Sequence, residues 1–139
     1  RNPAEEKALL FETIGWLKQA SIIVSFNGRS FDLPYLKGRM RFQGLNDEFQ
    51  AFHFDLLRQT RKNYRSQLPN CRLLTIERYL FNEERVDDLP GSQIAEFYQR
   101  YVDTEDRGYL APILDHNACD LLTMAKLLGL ITAKLPEVS

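Results

Sequence analysis

Apolar residues recur at Leu9, Leu10, Ile14 and Leu17, with Thr13 on the same side, at the spacing of one helix face. The stretch opens on Asn2-Pro3 followed by Glu5 and Glu6: a capping side chain, a proline for the first turn, and acids near the positive end of the helix dipole. A first helix is therefore predicted from Asn2 to about Gln19. The pattern then changes. Ser21-Ile22-Ile23-Val24-Ser25-Phe26 is a short β-branched and aromatic run, which suits a strand buried on both faces in a parallel sheet, and Asn27-Gly28 closes it with a turn signal. Leu33-Pro34-Tyr35-Leu36 opens a second helix to about Phe42, broken by Gln43-Gly44-Leu45-Asn46, and Phe52-His53-Phe54-Asp55 reads as a second short strand. From Leu56 onward the periodicity is helical, with segments predicted at 56–64, 72–81, 92–102 and 115–131. Pro69-Asn70, Pro90-Gly91 and Ala111-Pro112 punctuate them. Helix, strand, helix, strand and then helices predict an α/β fold.

Composition places this pattern in an ordinary globular setting: 139 residues, 44% hydrophobic and 27% charged, suffice for one domain with a real core over residues 1–139. A formal net charge of −1 lacks the basic excess usual in nucleic-acid binders, so any such surface must be local. A local one exists. Arg58, Arg61, Lys62, Arg65, Arg72 and Arg78 cluster in the middle of the chain, followed by Glu83, Glu84, Asp87, Asp88, Asp103, Glu105 and Asp106. Cys71 and Cys119 form no CxxC pair, which points to a reducing, cytoplasmic compartment, and both read as buried thiols. The longest apolar run, around Leu127–Leu128, falls far short of the ~20 residues a membrane span needs. The first residues carry neither an initiating Met nor a signal-peptide core, the expectation for a fragment or an excised domain.

Two constellations could carry chemistry. The segment 25–34, Ser-Phe-Asn-Gly-Arg-Ser-Phe-Asp-Leu-Pro, sets Asp32 beyond a strand end, where ligands of open α/β sheets bind. An Asp just before Leu-Pro is equally a good helix cap. At 115–120, Asp-His-Asn-Ala-Cys-Asp, the spacing of His116 and Asp120 puts both on one helical face. Ala118, Leu121, Leu122, Ala125 and Leu128 form an apolar stripe on the other side, so His116, Asp120 and Thr123 face either solvent or a polar cleft. No zinc cluster, Gly-rich phosphate loop or GxSxG elbow can be written from this sequence.

Taken together, 26–36 and 116–125 resemble the second and third motifs of the DEDD 3′–5′ exonuclease superfamily, and the first of them is similar to a segment in the proofreading domains of family B DNA polymerases. Three further stretches, 2–10, 53–57 and 88–92, extend the resemblance to the YprB-type RNase H-like subgroup over essentially the whole chain. The resemblance implies hydrolysis of phosphodiesters from a nucleic-acid 3′ end, with two Mg²⁺ or Mn²⁺ ions held by four carboxylates. Asp32 and Asp120 match two of those ligands, and His116 matches the residue that orients or deprotonates the attacking water. Asn27, Phe31, Arg58, Arg61 and Arg65 are the expected nucleic-acid contacts. The family's first motif, an Asp-x-Glu on the first strand, would precede Asn2 and does not occur here. The expectation is thus the C-terminal part of an RNase H-like domain, truncated on its N-terminal side. Strand 22–26 should then present an edge to water, to an upstream segment or to a second copy, and the chain alone should cleave little. The competing expectation is an RNase H-like module that has lost catalysis and binds nucleic acid or protein; a third is a small α/β domain with a capping Asp32 and a solvated His116/Asp120 face.

Overall fold

A computed structural model describes residues 3–133, and the chain divides into two compact units, Arg1–Gln59 and Thr60–Ser139. In the first, α1 (Pro3–Gln19) leads to β1 (Ile22–Ser25), α2 (Asp32–Phe42) and β2 (Phe52–Asp55), after which α3 (Leu56–Tyr64) begins. The proposed cap Asn2 lies outside the described residues. β1 and β2 pair in parallel, Ile22 with Phe52 through Ser25 with Asp55, and among the described residues β1 pairs with no other strand. Both strands and α2 lie where the periodicity predicts them.

The face of α1 that is buried is narrower than the sequence pattern. Leu10 and Ile14 are buried against Met40 of α2, with Leu17, Leu36, Leu45 and Phe49 packed around them, whereas Leu9 is 68% exposed. A fork of charge-assisted bonds closes the helix pair: Arg39 Nε and Nη2 each donate to Glu6 at 2.6 Å, and Gln43 Nε2 donates to Glu6 Oε2 at 2.5 Å.

The second unit continues with α4 (Leu73–Ile76), which widens directly into a π-helical segment (Glu77–Phe81), so the single helix predicted at 72–81 changes winding midway. A short 3₁₀ turn (Gly91–Gln93) precedes α5 (Ile94–Thr104), and α6 runs from Arg107 to Thr132. Ala111-Pro112 was expected to precede that last helix and instead lies inside it. Asp106 caps the earlier start by accepting from Gly108 N at 2.8 Å, and Pro112 in the second turn removes one intrahelical bond and crowds the carbonyl of Gly108 without ending the helix. The buried side chains of α6 are Thr123, Leu127 and Ile131, continuing the face of His116 and Asp120, while Leu121 and Leu122 are 56% and 64% exposed. The predicted apolar stripe is thus the outer face. Cys71 and Cys119 are free thiols and half-buried rather than buried. Among the described residues no helix is long and apolar enough to cross a membrane.

The Glu6 carboxyl is held below its ordinary value of 4.5 by the hydrogen bonds from Arg39 and, next, Gln43. A depressed carboxyl stabilises the fold fully above its unfolded pKa, and that stability is lost as pH falls through the folded value. Glu6→Gln is expected to flatten the acid side of the stability profile, read from melting temperatures between roughly pH 5 and pH 2, with little effect on the shape near neutrality. An unchanged acid limb would show that the pair contributes nothing.

Candidate functional site

At the C-terminal ends of the strands the first unit folds a polar turn around one carboxylate. Asn27 adopts a left-handed φ of 66°. Its N–H donates to Asp55 Oδ1 at 2.9 Å, Arg29 N donates to Asp55 Oδ2 at 3.2 Å, and Leu57 N donates to Asp55 Oδ1 at 3.0 Å. Asp55 therefore caps the first turn of α3 and holds the 27–29 turn at the same time. Gly28 is buried there; its N–H donates to Ser25 Oγ at 3.1 Å, and Ser25 Oγ lies 2.7 Å from His53 Nε2. A Cβ on Gly28 would come within 2.5 Å of Ser25 Oγ, so only glycine fits.

This turn delivers Asp32 to the first position of α2. The capping role open to Asp32 in the sequence is not the one it takes: the N-cap is Phe31, without a side-chain cap bond. Backbone carbonyls already serve the turn, with Leu33 N donating to Gly28 O at 2.9 Å and Tyr35 N to Phe31 O at 3.2 Å. Asp32 is exposed and, among the described residues, its carboxylate has neither hydrogen-bond nor ion-pair partner. Phe31 beside it is 74% exposed.

In the second unit the sequence places His116 and Asp120 one turn apart on α6, and the fold turns that face inward onto a buried guanidinium. Arg85, with 8% of its side chain exposed, meets three carboxylates. Its Nε and Nη2 bind Glu77 at 2.5–3.1 Å, Nη1 binds Asp88 Oδ2 at 3.1 Å, and Nη2 binds Asp120 Oδ1 at 2.7 Å. Thr123 Oγ1 donates to Glu77. Asp87, at φ 56°, bends the chain between Arg85 and Asp88. Burial alone would lower the Arg85 pKa, but the bonds to Glu77 and Asp120 outweigh it and raise it, so the cation persists at any ordinary pH. His116 Nδ1 lies 2.9 and 3.0 Å from the two Asp88 oxygens, and its Nε2 lies 3.6 Å from Asp120 Oδ2. Glu77, Arg85 and Asp88 also line a cavity of about 480 Å³ with Glu83, Glu84 and Lys126; His116 and Asp120 are not part of its wall.

Asp32 thus lies in one unit, and His116 and Asp120 lie in the other, where the fold brings them together. Among the described residues, no three His, Cys, Asp or Glu side chains converge in metal-binding geometry. The donor chemistry of the two aspartates nevertheless fits a hard divalent ion. Asp32 is unpaired, and Asp120, 31% exposed, keeps Oδ2 outside its pair with Arg85. Arg58, Arg61 and Lys62 on α3, and Arg65 just beyond it, are exposed and make no ion pair among the described residues, while Leu56, Leu57, Thr60 and Tyr64 form the buried side.

Sequence reasoning missed Glu77, Arg85 and Asp88 as site residues. The available signal was Arg85 itself, a single cation inside Glu83-Glu84-Arg85-Val86-Asp87-Asp88. Arg85→Ala would strand Glu77, whose side chain is 4% exposed, without its cation. Loss of one partner from a buried pair costs ~3–5 kcal/mol, and the partial exposure of Asp120 points to the lower end, about 3 kcal/mol. Urea unfolding followed by circular dichroism measures it; a change below about 0.5 kcal/mol, the size of an ordinary surface substitution, would contradict the hub role.

Comparison with known proteins gives the family. A model of the RNase_H superfamily matches residues 1–132. Protein YprB of Bacillus subtilis, itself uncharacterized, is 27% identical over 129 residues, covering 90% of this chain and 30% of YprB. A DNA polymerase of Methanocaldococcus jannaschii is 28% identical over 112 residues, 67% of this chain and 7% of the polymerase. DNA polymerase 1 of Aeropyrum pernix is 41% identical over 44 residues, 32% of this chain and 5% of the polymerase. The chain spans less than a third of the length of these relatives, and no solved structure matches. With 1–132 matched and an α/β arrangement of two parallel strands among helices, the chain belongs to the RNase_H superfamily.

Proposed function

We propose that this chain is the C-terminal part of a metal-dependent 3′–5′ exonuclease domain acting on DNA or RNA, and that residues 1–139 form one functional RNase H-like domain with sequence supplied from elsewhere. The observation that carries the reading is the superfamily match over residues 1–132, joined by partial likeness to two DNA polymerases. Asp32 and Asp120 each supply a carboxylate to Mg²⁺ or Mn²⁺, and the ions, when bound, stabilise the attacking and leaving oxygens of an in-line displacement. His116 receives the proton of the attacking water at Nε2, the imidazole nitrogen that Asp88 leaves open. Asn27 and the exposed ring of Phe31 meet the terminal nucleotides, the ring by stacking on a base. Arg58, Arg61 and Arg65 contact phosphates, a role favoured by their exposure and by the absence of any Asp or Glu between Leu56 and Ile76. The unpaired edge of β1 receives a strand from an upstream segment or a second copy. Two free cysteines suit a reducing, cytoplasmic setting.

A second reading, a binding module without catalysis, is favoured by one observation: Asp120 Oδ1 is already committed to Arg85 at 2.7 Å.

The two separate in a cleavage assay on a 5′-labelled single strand with Mg²⁺ or Mn²⁺, using the full-length protein. Stepwise shortening from the 3′ end, lost in Asp32→Ala and Asp120→Ala, is expected; tight binding without shortening selects the module. The 139-residue chain alone is expected to cleave little, because it carries two carboxylates where the resemblance calls for four. Binding should weaken as salt rises, and Arg58→Ala, Arg61→Ala and Arg65→Ala should each reduce the slope of log K against log salt by roughly 0.7, the value per phosphate contact on a single strand. An unchanged slope in all three would remove α3 and its extension from the nucleic-acid surface.

A further inference from the structure

We propose that Asp88 is the positioning residue for His116, fixing the imidazole as the Nδ1–H tautomer so that Nε2 alone is left to take a proton. The inference rests on the proposed proton-handling role of His116 and adds to it the residue that sets which nitrogen acts.

Both Asp88 oxygens lie within hydrogen-bond distance of His116 Nδ1, at 2.9 and 3.0 Å. A carboxylate can only accept, so Nδ1 must carry the proton. Asp88 is itself immobilised: Arg85 Nη1 donates to its Oδ2 at 3.1 Å, and Arg85 is locked in turn by Glu77 and Asp120. Side-chain exposures of 14% for His116 and 15% for Asp88 keep solvent from competing for the bond. Nε2 points to the other end of the same network, 3.6 Å from Asp120 Oδ2, too far for a hydrogen bond. The ring is thus held at one nitrogen and free at the other, beside the carboxylate proposed to hold a metal ion. One guanidinium orients both groups, since Arg85 touches Asp88 and Asp120 together. A merely packed histidine would need no acceptor shared in this way.

The tautomer is read directly by nitrogen-detected NMR of the histidine-labelled 139-residue chain at about pH 8.5, well above the usual imidazole range. The chain has only two histidines, so His53→Gln assigns the spectrum. His116 is expected as the Nδ1–H form. Asp88→Asn, which can turn its amide to donate, is expected to move it to Nε2–H or a mixture, and Asp88→Glu, which keeps an acceptor, is expected to restore Nδ1–H. In the full-length protein Asp88→Asn should lower kcat about 10²-fold with KM little changed, the size of a lost acid–base contribution. An Nε2–H His116 in the unaltered chain overturns the inference, as does a tautomer unmoved in Asp88→Asn, whatever the cleavage result. An Nδ1–H His116 that responds to Asp88 in a native protein without nuclease activity overturns the proposed function and leaves the positioning intact. Cleavage unaffected by a shifted tautomer leaves the nuclease reading intact and removes the catalytic meaning of Asp88.

Discussion

A guanidinium with 8% of its side chain exposed must be surrounded by acceptors, and in the second unit Arg85 gathers carboxylates from three separate segments. Glu77 reaches it from a π-helical turn, Asp88 from a loop bent at Asp87, and Asp120 from the middle of α6. Replacing the guanidinium would leave carboxylates facing one another in a partly dry interior, a situation that costs more than a buried ion pair returns in stability. Such a cluster is a device for fixing geometry. Together with buried Leu127 and Ile131 it marks which side of α6 faces in, and Leu121 and Leu122 are left exposed on the other.

The first unit solves a related problem with backbone donors. Asp55 gathers the N–H groups of Asn27, Arg29 and Leu57, joining a turn after β1 to a helix after β2. The parallel register that sets Ser25 beside Asp55 makes this possible, and Gly28 supplies the close approach that a Cβ would forbid. Because the turn's own polar groups are satisfied without it, Asp32 is left unpaired at the first position of α2. An exposed carboxylate with no partner is free for a ligand; Asp120, by contrast, gives one oxygen to Arg85 and keeps the other.

Charge is divided in the same spirit. The net charge of −1 conceals an acid-free, arginine-rich stretch along α3 and its extension, and an acidic cavity wall formed by Glu77, Glu83, Glu84 and Asp88. The cationic residues of the first are exposed and unpaired among the described residues, suited to a polyanion, whereas the acids near Arg85 are mostly spoken for within the fold. Overall charge therefore says little about which charges this chain leaves available, and local pairing says more.

The sequence by itself determined the α/β class, both strands to within a residue, α2 and α3, because alternation, β-branching and turn residues act over a few neighbouring positions. It also determined that His116 and Asp120 share a helix face, since helical spacing is a local property, and motif order brought the family into view. Only the tertiary structure decided which face of α6 is buried, whether Asp32 caps its helix, and that Glu77, Arg85 and Asp88 belong beside His116. Those outcomes depend on which charges meet across segments as far apart as Arg85 and Asp120, and on backbone donors being satisfied elsewhere first. Periodicity within one helix carries no record of either.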